Sequence, residues 1–215
     1  MLPDLQTPVM KHSSFANHAG VLAHIYENGI NLAAHEAEVD TDIESFVRRE
    51  VLTSTPLSIQ ATIEAPAALP SLLPDHLRQH PDAHGWLSSL ERIATLWFEL
   101  FGVTAAGVRI TTLDRAMCPR FHVDRVPVRL IVTWGGPGTQ WLDNHSVDRG
   151  WLGKPLPAGQ EDPLAEAEPV HSLPTQAVAL FKGELWPHNA GNGIVHRSPP
   201  LSPGERRVLL TLDML

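Results

Sequence analysis

The chain has 215 residues, of which 43% are apolar and 19% charged, so it can bury the core of one domain. Its formal net charge of −8 argues against a general nucleic-acid-binding protein, which needs a basic surface to neutralise phosphates. A single cysteine, Cys118, excludes an internal disulfide framework and a cysteine-rich zinc site. The sequence has neither an apolar run of membrane-spanning length nor the pattern of a secretion signal. We therefore expect a cytoplasmic protein with neither a nucleic-acid nor a membrane partner.

The first half of the chain is predicted to be mainly helical. Residues 1 to about 20 have the composition of a loose arm, and residues 29–34 can form a short strand. Asp40 and Thr41 are good N-caps, and the acidic residues that follow favour a helix over about 40–52. Apolar side chains three or four residues apart predict a second helix over about 85–101, with one buried face formed by Trp86, Leu90, Ile93, Trp97 and Phe101.

The second half has the pattern of β-strands. Apolar and β-branched runs at about 108–113, 126–134, 176–181 and 207–212 have strand length, and glycine- and proline-rich turns separate them. This pattern predicts an α+β fold, in which an antiparallel barrel or sandwich packs against the helices. We divide the chain into an N-terminal arm and helical support region at 1–105 and a β-core at 106–215, which we expect to form one integrated domain. The acidic segment 144–171 is predicted to be a lid or a mobile surface loop.

The motif Cys118-Pro-Arg-Phe-His122-Val-Asp124 offers candidate metal ligands. Side chains two residues apart in a strand point to the same face, so His122 and Asp124 would project together. His196 lies 74 residues after His122, and only a fold that brings the two segments together lets the three side chains meet. Two imidazoles and one carboxylate suit non-haem Fe(II), because three coordination positions stay open. The same donors also suit catalytic Zn(II).

In this motif and in the segments 176–186, 194–200 and 206–212, the chain resembles the superfamily of 2-oxoglutarate- and Fe(II)-dependent dioxygenases. The motif together with Arg129-Leu-Ile-Val-Thr-Trp-Gly-Gly-Pro-Gly-Thr-Gln-Trp-Leu is similar to a bacterial family known as domain of unknown function 1826 (DUF1826). The resemblance implies a double-stranded β-helix core, a jelly-roll or cupin-like arrangement, with the helical layer packed against it. It also implies an enzyme that hydroxylates an unidentified small molecule or side chain with release of succinate and CO2.

The resemblance further implies a role for each site residue. His122, Asp124 and His196 would hold Fe(II) and form the catalytic centre. Arg207, in preference to Arg206, would bind the distal carboxylate of 2-oxoglutarate.

One position departs from the family pattern. Many relatives carry a small hydroxyl residue two places after the arginine, whereas Leu209 stands there in this chain. Either Thr133 or another group would replace that hydroxyl, or the co-substrate differs from 2-oxoglutarate.

Three further residues near the motif have two interpretations each. Arg129 and Trp134 would line the substrate pocket or, as we favour, form a structural ion pair and pack in the core. Cys118 would be an additional metal ligand or, more commonly for a lone cysteine, a small buried apolar residue. Ligation by Cys118 would favour Zn(II), because a thiolate binds this metal well, or a different iron chemistry.

Two other functions would use the same His/Asp/His donors. The first is a protein that stores, delivers or senses Zn(II) without redox turnover, and the second is a Zn(II)-dependent hydrolase. Neither needs a buried cation near the metal. The position of Arg207 therefore distinguishes the oxygenase from both alternatives.

Overall fold

The computed structural model describes residues 12–145, 147–155, 160, 162–167 and 169–215. The α-helices in these residues are α1 (Thr41–Phe46), α2 (Ala68–Ser71), α3 (Asp75–Arg78), α4 (His84–Phe101) and α5 (Pro163–Ala167), and a π-helical turn, Val47–Val51, continues α1. The strands are β1 (Ser13–Ala16), β2 (Leu32–His35), β3 (Ser58–Ile63), β4 (Ala106–Leu113), β5 (Val128–Trp134), β6 (Gln140–Trp141), β7 (His171–Ser172), β8 (Val178–Lys182), β9 (His196–Arg197) and β10 (Arg207–Met214). None of the described helices combines the length and the apolar character needed to cross a membrane.

The strands form two sheets that pack against each other. The larger sheet has the order β1-β2-β8-β5-β10-β4-β3 and is antiparallel except for the β1–β2 pair. The smaller sheet has the order β7-β6-β9, and a bridge from His196 to His122 extends it. Side chains of both sheets, such as Ile131, Phe181 and Trp141, meet between them in one apolar cluster. This arrangement is a double-stranded β-helix with helices packed outside, so the expected fold class is confirmed.

The central strand β10 shows why the larger sheet has two different faces. Its residues 208, 210 and 212 are apolar and belong to the core on the helical side. Leu209 belongs instead to the apolar cluster between the sheets. Because side chains alternate along a strand, Arg207 and Thr211 share this inner face with Leu209. Two polar side chains therefore face the space between the sheets.

Helix α4 covers the outer face of the larger sheet. It ends at Gly102, whose left-handed backbone (φ 60°) favours glycine, and its buried face is as predicted for Trp86, Leu90, Ile93 and Trp97. The indole of Trp86 packs edge to face on Trp134 of β5, with 6.0 Å between ring centroids. It also contacts Phe46 of α1 at 6.0 Å. The prediction that Trp134 packs in the core is therefore confirmed.

The first half of the chain contributes strands as well as helices. The strands β1 and β3 were not predicted, and β1 lies in the segment expected to be a loose arm. That expectation is wrong for Ser13–Ala16, while residues 1–11 lie outside the described ranges. Both strands lie at the edges of the larger sheet, where pairing with a neighbour stabilises a strand whose local pattern is weak. The division at residue 105 stays a prediction, since the larger sheet includes strands from both sides of it.

The acidic segment 144–171 is described only in part, because residues 146, 156–159, 161 and 168 fall outside the described ranges. Its helix α5 places Leu164 in a small apolar cluster with Phe121, the residue before the first candidate ligand. The backbone N–H of Phe121 donates to Asp162 Oδ2 at 2.9 Å. This part of the segment therefore packs against the motif, and its role as a lid stays a prediction.

We expect Trp86→Ala to lower the free energy of unfolding by about 3–5 kcal/mol, because it leaves a cavity between α4 and β5. Arg92→Ala, on the exposed side of the same helix, should change it by less than about 0.5 kcal/mol. Urea denaturation followed by circular dichroism measures both. Equal stabilities of the two variants would contradict this packing.

Candidate metal centre

Two segments that are far apart in the sequence pair at His122 and His196. The backbone N–H of each residue donates to the carbonyl oxygen of the other, with both N···O distances at 3.0 Å. In such an antiparallel pair the two side chains are direct neighbours, and the imidazole centroids lie 4.5 Å apart. On its other side, His196 pairs with Trp141 of β6. The backbone alone therefore places the two rings side by side.

The carboxylate of Asp124 completes the group. Its Oδ1 lies 3.7 Å from Nε2 of His122, and its Oδ2 lies 3.3 Å from Nε2 of His196. One potential ligand atom from each residue lies within 4.8 Å of the others, a spacing that suits one shared ion. The side chain of His122 is 34% exposed, against 15% for Asp124 and 6% for His196, so the group opens on the side of His122. No other such group of three occurs within the described residues.

Backbone carbonyl groups orient both imidazole rings. Nδ1 of His122 lies 2.9 Å from the carbonyl oxygen of Arg120, and Nδ1 of His196 lies 3.1 Å from that of Ile194. A carbonyl oxygen only accepts, so each Nδ1 carries the proton and each Nε2 keeps a free lone pair for a metal. Burial lowers the pKa of His122, and the neighbouring His196 lowers it further. The His122 ring is therefore neutral at pH 7, which is the form that binds a metal.

An ion-pair network keeps Asp124 charged and in place. Nη1 of Arg129 lies 2.7 Å from Asp124 Oδ2, and the same guanidinium donates to both oxygens of Asp213 at 2.7 and 2.8 Å. Burial alone would raise the pKa of Asp124, but its contact with the imidazole of His196 and the charge of Arg129 hold that pKa well below its usual range. The carboxylate is therefore ionised at neutral pH. The ion pairing expected for Arg129 is confirmed.

Two glycines let the loop after β8 approach the motif closely. A Cβ atom on Gly183 would lie 2.6 Å from the carbonyl oxygen of Asp124, and one on Gly193 would lie 2.3 Å from Cγ1 of Val123. The N–H of Glu184 donates to the same carbonyl of Asp124 at 3.0 Å. The missing side chains are what permit this contact, so the loop supports the backbone of a candidate ligand.

Arg207 is a buried cation on the inner face, with 1% of its surface exposed. Its Nη2 donates to the hydroxyl of Ser198 and its Nη1 to the carbonyl of Pro137, each at 3.1 Å, while its Nε has no hydrogen-bond partner among the described residues. Burial lowers its pKa to about 10, so it stays charged at neutral pH. Within the described residues no carboxylate pairs with it. Arg206 differs, because its guanidinium donates to the carbonyl of Leu52 on the helical side.

The hydroxyl in contact with Arg207 belongs to Ser198. Thr133, the substitute considered from the sequence, is buried opposite Leu209 in the β5–β10 pair. Ser198 was missed, although a signal for it exists: it lies two residues after His196, where alternation points a side chain to the same face. Its contact with Arg207 links the candidate metal ligands to the buried cation.

A cavity between the sheets is lined by both candidate histidines and by Ser198, the hydroxyl partner of Arg207. Besides His122, His196 and Ser198, it is lined by apolar Met117, Ile131 and Leu209 and by polar Arg109, Thr111, Arg129, Thr139, Arg197 and Thr211. Cys118 is exposed, so the expectation that it is a small buried residue is wrong. It lines the cavity but does not belong to the three-residue group, so ligation by it stays a prediction. The sequence interpretation also missed Arg109 and Thr211, which alternation along β4 and β10 could have indicated.

Comparisons with known proteins give one family match and several remote structural likenesses. The family model described as protein of unknown function (DUF1826) matches residues 16–213, and no curated protein sequence matches the chain. A rice dioxygenase for auxin oxidation is similar in structure, with a TM-score of 0.46, 9% identity and coverage of 94% of this chain and 82% of that chain. A prolyl-4-hydroxylase from Pseudomonas putida has a TM-score of 0.44 and 12% identity, with 91% and 97% covered. The dioxygenase for auxin oxidation 1 from Arabidopsis thaliana, solved with 2-oxoglutarate, has a TM-score of 0.43 and 12% identity, with 96% and 94% covered. Likenesses this remote leave the chemistry to be inferred from the chain's own residues.

We expect His196→Ala and Asp124→Ala each to weaken Co(II) binding by more than about 100-fold. Losing a residue that only hydrogen-bonds to a metal ligand costs about 10–100-fold, and losing the ligand itself should cost more. Cys118→Ser should change the affinity by less than about threefold, because the thiol lies outside the group. Calorimetric titration of variants with unchanged circular dichroism measures these effects. A loss in Cys118→Ser as large as that in His196→Ala would indicate a thiolate-containing site instead.

Proposed function

The chain belongs to the DUF1826 family, and from its candidate metal centre we propose that it is an Fe(II)- and 2-oxoglutarate-dependent oxygenase. The proposed reaction hydroxylates a substrate that is a small molecule or a side chain. The reducing cytoplasm, which we expect as its location from the single cysteine, would help to keep Fe(II) reduced.

The donor set fits Fe(II). Two imidazoles and one ionised carboxylate converge from one side, and the open side of the group adjoins the cavity. This is the ligand type of the facial triad, which leaves positions for other reactants. His122, Asp124 and His196 would hold the ion, while Arg129 would keep the carboxylate oriented.

The single observation that carries the proposal is the unpaired charge of Arg207. A buried guanidinium with only neutral partners and a free Nε favours an anionic ligand, since burial of an uncompensated charge is costly. Ser198, its hydroxyl partner, lies two residues after His196, which is about 7 Å along an extended chain. A short keto-acid with a carboxylate at each end can therefore reach from the metal ligands to Arg207.

The hydroxyl of Ser198 would also replace the hydroxyl that many relatives carry at the position of Leu209. The relatives' hydroxyl and Ser198 would serve the same carboxylate from different strands. Leu209 then supplies an apolar wall beside the carbon chain of the co-substrate.

Dioxygen is the oxidant of the proposed reaction: with Fe(II) supplying the redox chemistry, one oxygen atom would convert C–H to C–OH and the other would enter the succinate that forms from 2-oxoglutarate with loss of CO2. The protein's own part is positional. Arg207 and Ser198 would orient the co-substrate, and apolar Ile131 and Leu209 would restrict water around it. The fixed Nδ1 protons of both histidines keep Nε2 available throughout.

The zinc alternatives remain compatible with the three ligands alone. A zinc-storage protein or a zinc-dependent hydrolase could use the same donors. Neither function supplies an anion for Arg207, so this buried cation favours the oxygenase.

We expect Arg207→Gln to weaken 2-oxoglutarate binding to the Mn(II)-loaded protein by about 100-fold or more, because charged hydrogen bonds are lost. Ser198→Ala should cost about tenfold through one lost hydrogen bond. Arg206→Gln is the matched control and should change the affinity by less than about threefold, since its guanidinium binds a carbonyl elsewhere. Calorimetry measures the three constants. Equal effects of the two arginine variants would contradict the assignment.

Turnover tests the whole proposal. With Fe(II), ascorbate and dioxygen, the purified protein should convert 2-oxoglutarate into succinate, and a true substrate should accelerate this. Asp124→Ala should be inactive, because one ligand is missing. Failure to form succinate with any compound of a broad substrate screen would overturn the proposal.

A further inference from the structure

We propose that the substrate carries a carboxylate or phosphate group, which Arg109 and Thr211 bind beside the metal centre. This inference rests on the proposed function and names the class of substrate for it. The two residues lie outside the metal-ligand group and outside the Arg207 site.

The register of the larger sheet brings the two residues together. Thr211 of β10 pairs directly with Arg109 of β4, and both side chains line the cavity that contains His122 and His196. The next inner residue of β10 is Asp213, which binds Arg129. The pair therefore lies at the level of the metal ligands rather than at the level of Arg207.

Arg109 supplies an uncompensated positive charge. Its side chain is exposed, and among the described residues it has no ion pair or hydrogen bond. The nearby Arg129 differs, because two carboxylates already neutralise it. None of the described residues that line the cavity adds a carboxylate beside Arg109. In a chain of net charge −8, this leaves one positive charge at the cavity without a paired anion, and such a charge attracts an anionic reactant.

Thr211 supplies the second, independent observation. It is 7% exposed, and its buried hydroxyl has no hydrogen-bond partner in the part of the chain that the structure describes. A buried hydroxyl that lacks a partner is costly to the folded state, so native structures rarely keep one without a reason. Since the side chain lines the cavity, an oxygen of a ligand held by Arg109 would satisfy it. Threonine and arginine together form a small oxyanion-binding pair.

The two anion sites are separate. Arg207 and Thr211 are four residues apart on β10, which is about 13 Å along the strand, and apolar Leu209 lies between them. The proposed co-substrate uses Arg207 for its far carboxylate and the metal for its other end. The charge of Arg109 therefore remains for the molecule that is to be oxidised.

Calorimetric titration of the Mn(II)-loaded protein, with and without 2-oxoglutarate, tests this inference. The probes are acetate, benzoate and inorganic phosphate at millimolar concentration, with benzamide as the uncharged match of benzoate. We expect at least one anion to bind, and benzoate to bind more tightly than benzamide. Arg109→Gln should weaken anion binding about tenfold, as for the loss of a charged hydrogen bond. Arg92→Gln, an exposed arginine on α4, should leave it unchanged.

Thr211→Val separates binding from folding. It removes a hydroxyl that has no protein partner, so it should weaken anion binding severalfold while the melting temperature stays equal or rises. Arg207→Gln should weaken 2-oxoglutarate binding. With the Arg207 site filled by 2-oxoglutarate, Arg109→Gln should weaken the binding of the anion probes and leave the 2-oxoglutarate affinity unchanged.

Three results would overturn the inference: no anion binds, benzamide binds as well as benzoate, or Arg109→Gln leaves anion binding unchanged. A loss of 2-oxoglutarate affinity in Arg109→Gln equal to its loss of anion affinity would also overturn it, because Arg109 would then serve the co-substrate. Failure of the proposed function appears separately, as absence of 2-oxoglutarate binding to the wild-type protein. The titrations without 2-oxoglutarate still report on Arg109 in that case.

Discussion

The reciprocal backbone hydrogen bonds between His122 and His196 are the constraint on which the site depends. They close the smaller sheet against the motif and place two imidazole rings 4.5 Å apart, although 74 residues separate them in the chain. The positions of the other residues at the centre depend on this pair. Asp124 follows on the same side of one segment, and Ser198 follows on the same side of the other. A slip of one residue in this register would turn each of these side chains to the wrong face.

The charges around the centre divide into satisfied and unsatisfied groups. Arg129 pairs with both Asp124 and Asp213 in a partly buried network, which fixes a candidate ligand and leaves this arginine no charge for another molecule. Arg207, deep in the inner face, has only neutral partners, and Arg109, at the exposed side, has none among the described residues. A site with one structural cation and two cations that lack anions is organised for anionic reactants. The buried, unpartnered hydroxyl of Thr211 fits the same interpretation.

Local sequence patterns predicted the long helix and the long strands, because each of these elements has a regular apolar face or a continuous apolar run. The stripe on α4 follows from its periodicity, and the four long strands of the second half follow from apolar and β-branched runs of strand length. The double-stranded β-helix followed from the family resemblance. The edge strands β1 and β3 could not be predicted, because their pairing partners rather than their composition make them strands. At the candidate site, alternation placed His122 beside Asp124, but apolar residues on both faces of β10 hid the inward direction of Arg207. Ser198 and Thr211 were missed because a hydroxyl residue gains significance only from what it faces.

The most direct test of the account is a crystal structure of the protein with Mn(II) and 2-oxoglutarate, grown without oxygen. We predict Mn(II) on Nε2 of both histidines and on the carboxylate of Asp124, with 2-oxoglutarate bound to the ion and its far carboxylate on Arg207 and Ser198. A metal enclosed by four protein ligands that include Cys118 would contradict this account. So would a bound metal with Arg207 still paired only to neutral groups and 2-oxoglutarate absent from the cavity.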